Sequence, residues 1–191
     1  MLISFDDGYR NNLEIAAPIL KQFSFKATIS VIGVSVGKET YKDTGEIMTP
    51  HFELEEAKPY VNAGTIDIQS HTYNLHQLEE LDGKGCREGV LQMEGESDED
   101  YVRILSEDFK ASKTAIEEVL PVSCEVLTYP YGFCDLMSDV VLQSQGAKVT
   151  VSLERGVNEV IKGIPQSLIR LKRFNVSDAV SPEELVALMN Q

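Results

Sequence analysis

Two aspartates and two histidines carry the clearest chemistry in this sequence. Asp6 and Asp7 stand side by side in SFDDGY (residues 4–9), just after the apolar run Met1-Leu2-Ile3. Side chains alternate along a strand, so neighbouring aspartates face opposite sides while the strand stays regular. Either the strand ends here and its last residues fan out into a site, or one aspartate is a plain turn residue, as Asp-Gly often is. A second stretch, QSHTYNLH (69–76), holds His71 and His76, two of only three histidines in the chain. Two imidazoles and one carboxylate are a usual ligand set for a catalytic divalent metal with an open position. One aspartate then binds the ion while the other, aimed differently, takes a proton from water, and hydrolysis runs at ordinary pH.

The five-residue offset of the histidines misses the i, i+4 spacing of one helix face. A turn or a distorted helix start is therefore expected between them, with Thr72 and Asn74 suited to hold it by side-chain bonds to backbone. A third stretch, LTYPYGFCD (127–135), reads as a strand that ends in a rigid Pro130-Tyr131-Gly132 turn. Tyr131 has a backbone N–H to offer an oxyanion and a ring to offer a sugar face. The competing account is a Pro-aromatic turn that only packs. His51 falls at a predicted helix start and is expected to be structural.

The elements that must position these residues alternate in type. Strands are predicted over 1–5, 26–34, 65–70, 124–130, 148–153 and 168–176, as short runs rich in β-branched residues. Helices are predicted over 11–23, 51–64 (with Thr49 as cap), 98–120, 136–146 and 181–190. Strand–helix–strand alternation means parallel strands joined by crossover helices, in an open α/β sheet or a barrel. Functional groups in such folds gather at the carboxyl ends of the strands, where Asp6, Asp7 and His71 fall. Residues 77–97, polar and Gly-rich, read as a surface excursion bordering that rim. No linker or repeat divides the chain, so one domain over 1–191 is expected.

Composition narrows the function. A net charge of −14 argues against a nucleic-acid groove, which needs a basic surface. Three cysteines without CxxC spacing exclude a zinc ribbon and argue against a disulfide framework. Cys134, close to the third stretch, is expected to be a small apolar residue rather than a nucleophile. No Gly-rich phosphate loop follows a strand. No stretch approaches the roughly 20 apolar residues of a membrane span. The chain opens inside its first predicted strand, so a segment upstream of Met1 is expected to be missing. A secreted or cell-envelope location is expected, with the cytoplasm as the alternative.

The three stretches together resemble the polysaccharide deacetylase family, the NodB-like carbohydrate esterases. Ser4-Phe5-Asp6-Asp7-Gly8 matches the family's first motif. His71-Thr72 and His76 match the longer form of its second, and Pro130-Tyr131 matches part of its third. The branch it looks most like includes poly-β-1,6-N-acetylglucosamine deacetylases and bacterial xylanase/chitin-deacetylase-like proteins. The resemblance implies a distorted (β/α) barrel of about seven parallel strands. It implies a monomeric, metal-dependent hydrolase that removes acetyl groups from an N-acetylated polysaccharide. Asp6 would be the general base, and Asp7, His71 and His76 the ligands of Zn²⁺, with Co²⁺, Ni²⁺ or Mn²⁺ as alternatives. The Tyr131 N–H would complete an oxyanion hole, and Tyr131, Pro130 and Tyr73 would meet the substrate. An O-acetyl xylan esterase, or a carbohydrate-binding domain without turnover, are the alternatives. Two departures stand out. Thr128 occupies the third motif's Arg position, leaving Arg170 and Arg173 as candidates to reach Asp6. No histidine follows His76, so the family's late histidine acid has no counterpart, and Asp6 is expected to serve as both base and acid.

Overall fold

Alternation along the strands sets the two faces of the sheet. In β1 (Ile3–Phe5), β2 (Ala27–Val31) and β3 (Ile66–Ser70), Ile3, Phe5, Ala27, Ile29, Val31, Ile66 and Ile68 share one face. The parallel register Phe5↔Ile29↔Ile68 keeps these residues in rows. The opposite face carries Ser4, Thr28, Ser30, Asp67 and Gln69. β4 (Val126–Thr128) and β5 (Val149–Val151) continue the sheet in the order β1-β2-β3-β4-β5, every pair parallel. Parallel crossovers are right-handed, so strands that always step the same way put their helices on one side and curl the sheet. The result is an α/β half-barrel of five parallel strands with a polar concave face. The structure, a computed structural model, describes residues 1–41 and 44–189.

The helices cover the apolar face. A π-helical turn, Asn12–Ala16, leads into α1 (Ala17–Gln22). Pro18 has no N–H to give the carbonyl of Glu14, and the wider turn accommodates that. α2 (Leu54–Asn62) brings Leu54 and Ala57, and the segment before it Phe52, against Ile29 and Ile68. A short α3 (Glu79–Asp82) lies in the excursion. α4 (Asp98–Val119) starts at a Ser97 cap that accepts the Asp100 N–H at 3.1 Å, with three acids in its first turn. Its Ile116 joins the first core, and its Tyr101, Leu105 and Phe109 join a second around Leu127 and Leu142. α5 (Leu136–Ser144) is capped by Asp135, and α6 is Pro182–Met189. Residue 190 of the last predicted helix lies outside the described residues. Among the described residues no helix is long and apolar enough to cross a membrane.

Two predicted elements change. The helix expected from residue 51 starts at Leu54, capped by Glu53 and Glu56 rather than Thr49. Residues 50–52 are instead extended and pair with the turn after β1: Arg10 donates to Pro50, Phe52 donates to Gly8, and Tyr9 bridges His51. The strand expected over 168–176 is reduced to one parallel bridge, Val151↔Leu171, after a 3₁₀ turn at Pro165–Leu168. Arg170 stands at φ 57 and breaks the extended run. Five strands are therefore present among the described residues, where the resemblance implied about seven.

One seam in the sheet is made by a side chain. β3 and β4 share the single pair Ser70↔Leu127. Below it the Gln69 carboxamide takes the place of the ladder. Its Oε1 accepts the N–H groups of Glu125 and Val126, both at 2.9 Å, and its Nε2 donates to Ser123 and Asp67. Every polar atom of a buried amide is thus satisfied. Ile68, fully buried one residue earlier, anchors the same strand. Ile68→Ala is expected to cost about 2–5 kcal/mol, read as a lower urea midpoint with an unchanged m-value.

Candidate active site

The paired aspartates sit where β1 ends. Asp7 is in the left-handed region (φ 69), a conformation that Asp tolerates better than most residues. Gly8 follows at φ 89, and a Cβ there would meet Val31 Cγ1 at 2.9 Å, so the position requires glycine. The reversal turns Asp7 away from Asp6. Asp6 faces Arg173, whose guanidinium grips both carboxylate oxygens, Nη1 at 2.8 Å from Oδ1. Nη1 also reaches Ser4 Oγ at 3.3 Å.

Asp7 faces the histidines. Its Oδ1 lies 3.4 Å from His71 Nε2 and 3.4 Å from His76 Nε2. Four ligands held tetrahedrally at about 2.0–2.1 Å around Zn²⁺ stand roughly 3.3–3.4 Å apart. Asp7 Oδ1 thus stands from each imidazole nitrogen at the separation a small divalent ion requires, and the three donor atoms all lie within 4.8 Å of one another. The other nitrogens of the rings are engaged behind the site. His71 Nδ1 donates to the Thr128 carbonyl at 2.7 Å, and His76 Nδ1 meets the Tyr131 hydroxyl at 3.2 Å. The Thr128 carbonyl can only accept, so its bond fixes the tautomer of the neutral His71 ring that leaves Nε2 with its lone pair facing inward. Asp7, His71 and His76 can hold a divalent cation.

The titration behaviour of the cluster follows from burial and proximity. Burial works to raise the Asp7 carboxyl, but the hydrogen bond and charge of His71, the Tyr9 hydroxyl and His76 outweigh it and hold it at about 2. Burial lowers His76 to about 4, with His71 adding to the effect and Asp7 opposing it. Burial and its bond to Asp7 push the Tyr9 phenol up. His51, 4% exposed and 4.9 Å from the Tyr9 ring centre to centre, is lowered by burial against the pull of Asp7.

The remaining candidates divide. Arg173 reaches Asp6, whereas Arg170 pairs with Asp139 at 2.6 Å, and Asp139 also accepts the Tyr129 hydroxyl. Tyr131 stands in the 130–132 turn at φ 56, its ring 4.6 Å from that of His76. Pro130 is buried in that turn. The Tyr73 ring packs over Gly33 and lines a groove along α4 with Glu107, Lys110 and Ala111; none of Asp7, His71 and His76 borders it. Sequence reasoning passed over Tyr9, although it closes the SFDDGY stretch. It also passed over Asp108 of α4, which binds the backbone between the two histidines.

A curled parallel sheet with an Asp-His-His cluster at its carboxyl rim defines a candidate metallohydrolase. Residues 1–150 match the family described as polysaccharide deacetylase, and the chain belongs to that family. The poly-β-1,6-N-acetyl-D-glucosamine N-deacetylase of Staphylococcus aureus strain MSSA476 is 28% identical over 152 residues, covering 80% of this chain and 47% of that protein. The chain spans about half the length of the curated relatives it matches. In fold it is similar to a de-N-acetylase from Aggregatibacter actinomycetemcomitans (TM-score 0.80, 18% identity, 98% of this chain and 74% of that one). It is also similar to IcaB from Ammonifex degensii (TM-score 0.75, 23% identity, 100% and 72%).

The pH dependence of the metal-free protein follows from the histidine. Unfolded, His76 takes a proton below about 6.5; folded, it stays neutral down to about 4. A depressed histidine pKa therefore removes stability as pH falls from about 6.5 to about 4, by roughly 3 kcal/mol at the lower end. Asp7 acts in a lower window: its contribution is present above about 3.8 and is lost as pH falls through about 2. Urea titrations of chelator-treated protein at pH 7 and pH 4.5 are expected to show the upper slope, and His76→Gln to flatten it.

Proposed function

We propose that residues 1–191 form the catalytic domain of a metal-dependent deacetylase that removes acetyl groups from an N-acetylglucosamine-containing polysaccharide. The observation that carries this reading is the shared 3.4 Å approach of Asp7 to both histidines, with a second aspartate held apart by Arg173. Family membership and the named N-deacetylase relative support the substrate class. A secreted or cell-envelope location and a monomeric state belong to the same proposal.

Asp7, His71 and His76 would hold the ion, Zn²⁺ by the preference of this donor set for a tetrahedral site. A bound divalent cation lowers the pKa of water and polarises the acetyl carbonyl. Asp6, its plane fixed by the Arg173 fork, takes a proton from the water that attacks the carbonyl carbon. The Tyr131 N–H donates to the oxygen on which negative charge develops. The C–N bond then breaks, Asp6 returns its proton to the departing nitrogen, and acetate and a free amine leave. One carboxylate thus serves as base and then as acid.

Acetate release from poly-β-1,6-N-acetylglucosamine oligomers and from acetylated xylan, each with and without chelator, tests the reading. Chelator-sensitive release from the glucosamine oligomers supports it; release from xylan alone makes the chain an esterase, and release from neither refutes turnover. Asp6→Asn is expected to leave metal affinity nearly unchanged and to cut kcat by about 10²–10⁴. Asp7→Asn is expected to lose both, and equal metal titrations for the two variants would reverse the assigned roles. Arg173→Lys, which keeps the charge but not the fork, is expected to lower kcat by about 10² through a misplaced base. Arg170→Lys is expected to affect thermal stability rather than kcat.

A further inference from the structure

α4 carries an acid where its spacing calls for an apolar residue. Its buried positions Tyr101, Leu105, Asp108, Ser112 and Ile116 recur at steps of three and four, one stripe of the helix facing the core. Asp108 is 9% exposed, and burying a carboxylate is costly unless its oxygens are satisfied. They are satisfied by backbone. Oδ1 accepts the Tyr73 N–H at 2.8 Å and Oδ2 accepts the Asn74 N–H at 2.7 Å. Two successive N–H groups directed at one anion form a concave backbone nest.

This nest is the turn between the two histidines. Thr72 stands at φ 71, with its N–H on Ser70 Oγ at 3.1 Å. The carbonyls of Thr72 and Tyr73 accept from Gly33 and Val34, at the end of β2. The carbonyl side of the turn is thus tied to the sheet and the N–H side to α4. Without an acceptor at Asp108, the Tyr73 and Asn74 N–H groups lose their partner, and a turn with a non-glycine residue at positive φ loses what holds it.

We propose that Asp108 is a positioning residue for the Asp7-His71-His76 centre, its carboxylate setting the 72–75 turn that carries His76 back beside His71. The inference rests on the metal-binding reading of that centre and adds to it a residue on a distant helix. Asp108 does not touch the ion or the substrate. It sets where the second imidazole stands, and partners behind metal ligands typically carry about 10–100-fold in affinity.

Co²⁺ binding to the full chain provides the test, through its visible absorption bands and its dissociation constant. Amide hydrogen exchange at residues 73–75 provides a second readout that needs no metal. Asp108→Asn replaces one acceptor oxygen by an N–H donor facing an N–H. It is expected to weaken Co²⁺ binding by about 10–100-fold, to alter the absorption bands and to expose the 73–75 amides. Asp139→Asn, at the buried carboxylate between Tyr129 and Arg170, controls for general destabilisation and is expected to leave all three unchanged. Asp108→Asn behaving like Asp139→Asn in Co²⁺ affinity and spectrum overturns the proposal. If Asp108→Asn does not fold, Asp108→Glu, which keeps the charge but shifts it by one methylene, is read the same way: weaker binding supports the proposal and unchanged binding overturns it. Failure of the unsubstituted chain to bind Co²⁺ refutes the metal reading. Exchange at 73–75 then still reports whether Asp108 orders the turn.

Discussion

A sheet of five parallel strands that steps always in one direction curls but leaves two edges, β1 and β5. The contact that joins their upper ends is ionic. Arg173, two residues past the bridge that extends β5, grips Asp6 at the end of β1 and touches Ser4 within it. The pair is partly sheltered, with side-chain exposures of 17% and 27%, so solvent screens it less than a surface bridge. Fold and chemistry meet in this one interaction. The guanidinium that draws the edges together also fixes the orientation of the aspartate proposed as base, and Asp7 is thereby left to the histidines.

The polar concave face explains why such a link is available. A barrel packed with apolar side chains would offer no route for an arginine to cross. Here Ser4 lies in the path of Arg173, and Ser30 and Thr128 share a hydrogen bond of 2.8 Å across the sheet. Thr128 has two roles at once. Its hydroxyl belongs to that pair, while its carbonyl orients His71. Thr128, which the resemblance sets at the third motif's Arg position, thus supports His71, while the arginine that reaches Asp6 comes from a different segment of chain.

Much of this was legible in the sequence, and the limits follow from range. Strand–helix alternation and the glycine after the paired aspartates are local signals, and five of the six predicted strands are present. The residues that converge also stood out, because histidines are rare here and Asp7 and His71 each lie just past a strand. The helix expected at residue 51 was misplaced because its first residues are taken by pairing with Tyr9 and Gly8, some forty residues away in sequence. Arg170 and Arg173 are three apart in one segment, and only the acids facing them, Asp139 and Asp6, tell them apart. Asp108 left a readable trace, an acid on the buried stripe of a helix, but its partner is backbone from another element.

The Gln69 seam has a consequence for how the molecule breathes. A backbone ladder is a repeated set of bonds, whereas the β3–β4 junction hangs largely on one carboxamide and one residue pair. The two apolar cores lie on either side of it, the first around β1–β3 and the second around β4 and α5. Asp7 and His71 follow strands of the first side, whereas His76 follows Leu75 of the second core, and Tyr131, Thr128 and Arg173 also lie on the second. A transient parting along this line would draw His76 and its partner Tyr131 away from Asp7 and His71. The junction thus runs through the Asp-His-His cluster, so the side chain that closes the sheet also bears on whether the three donor groups stay together.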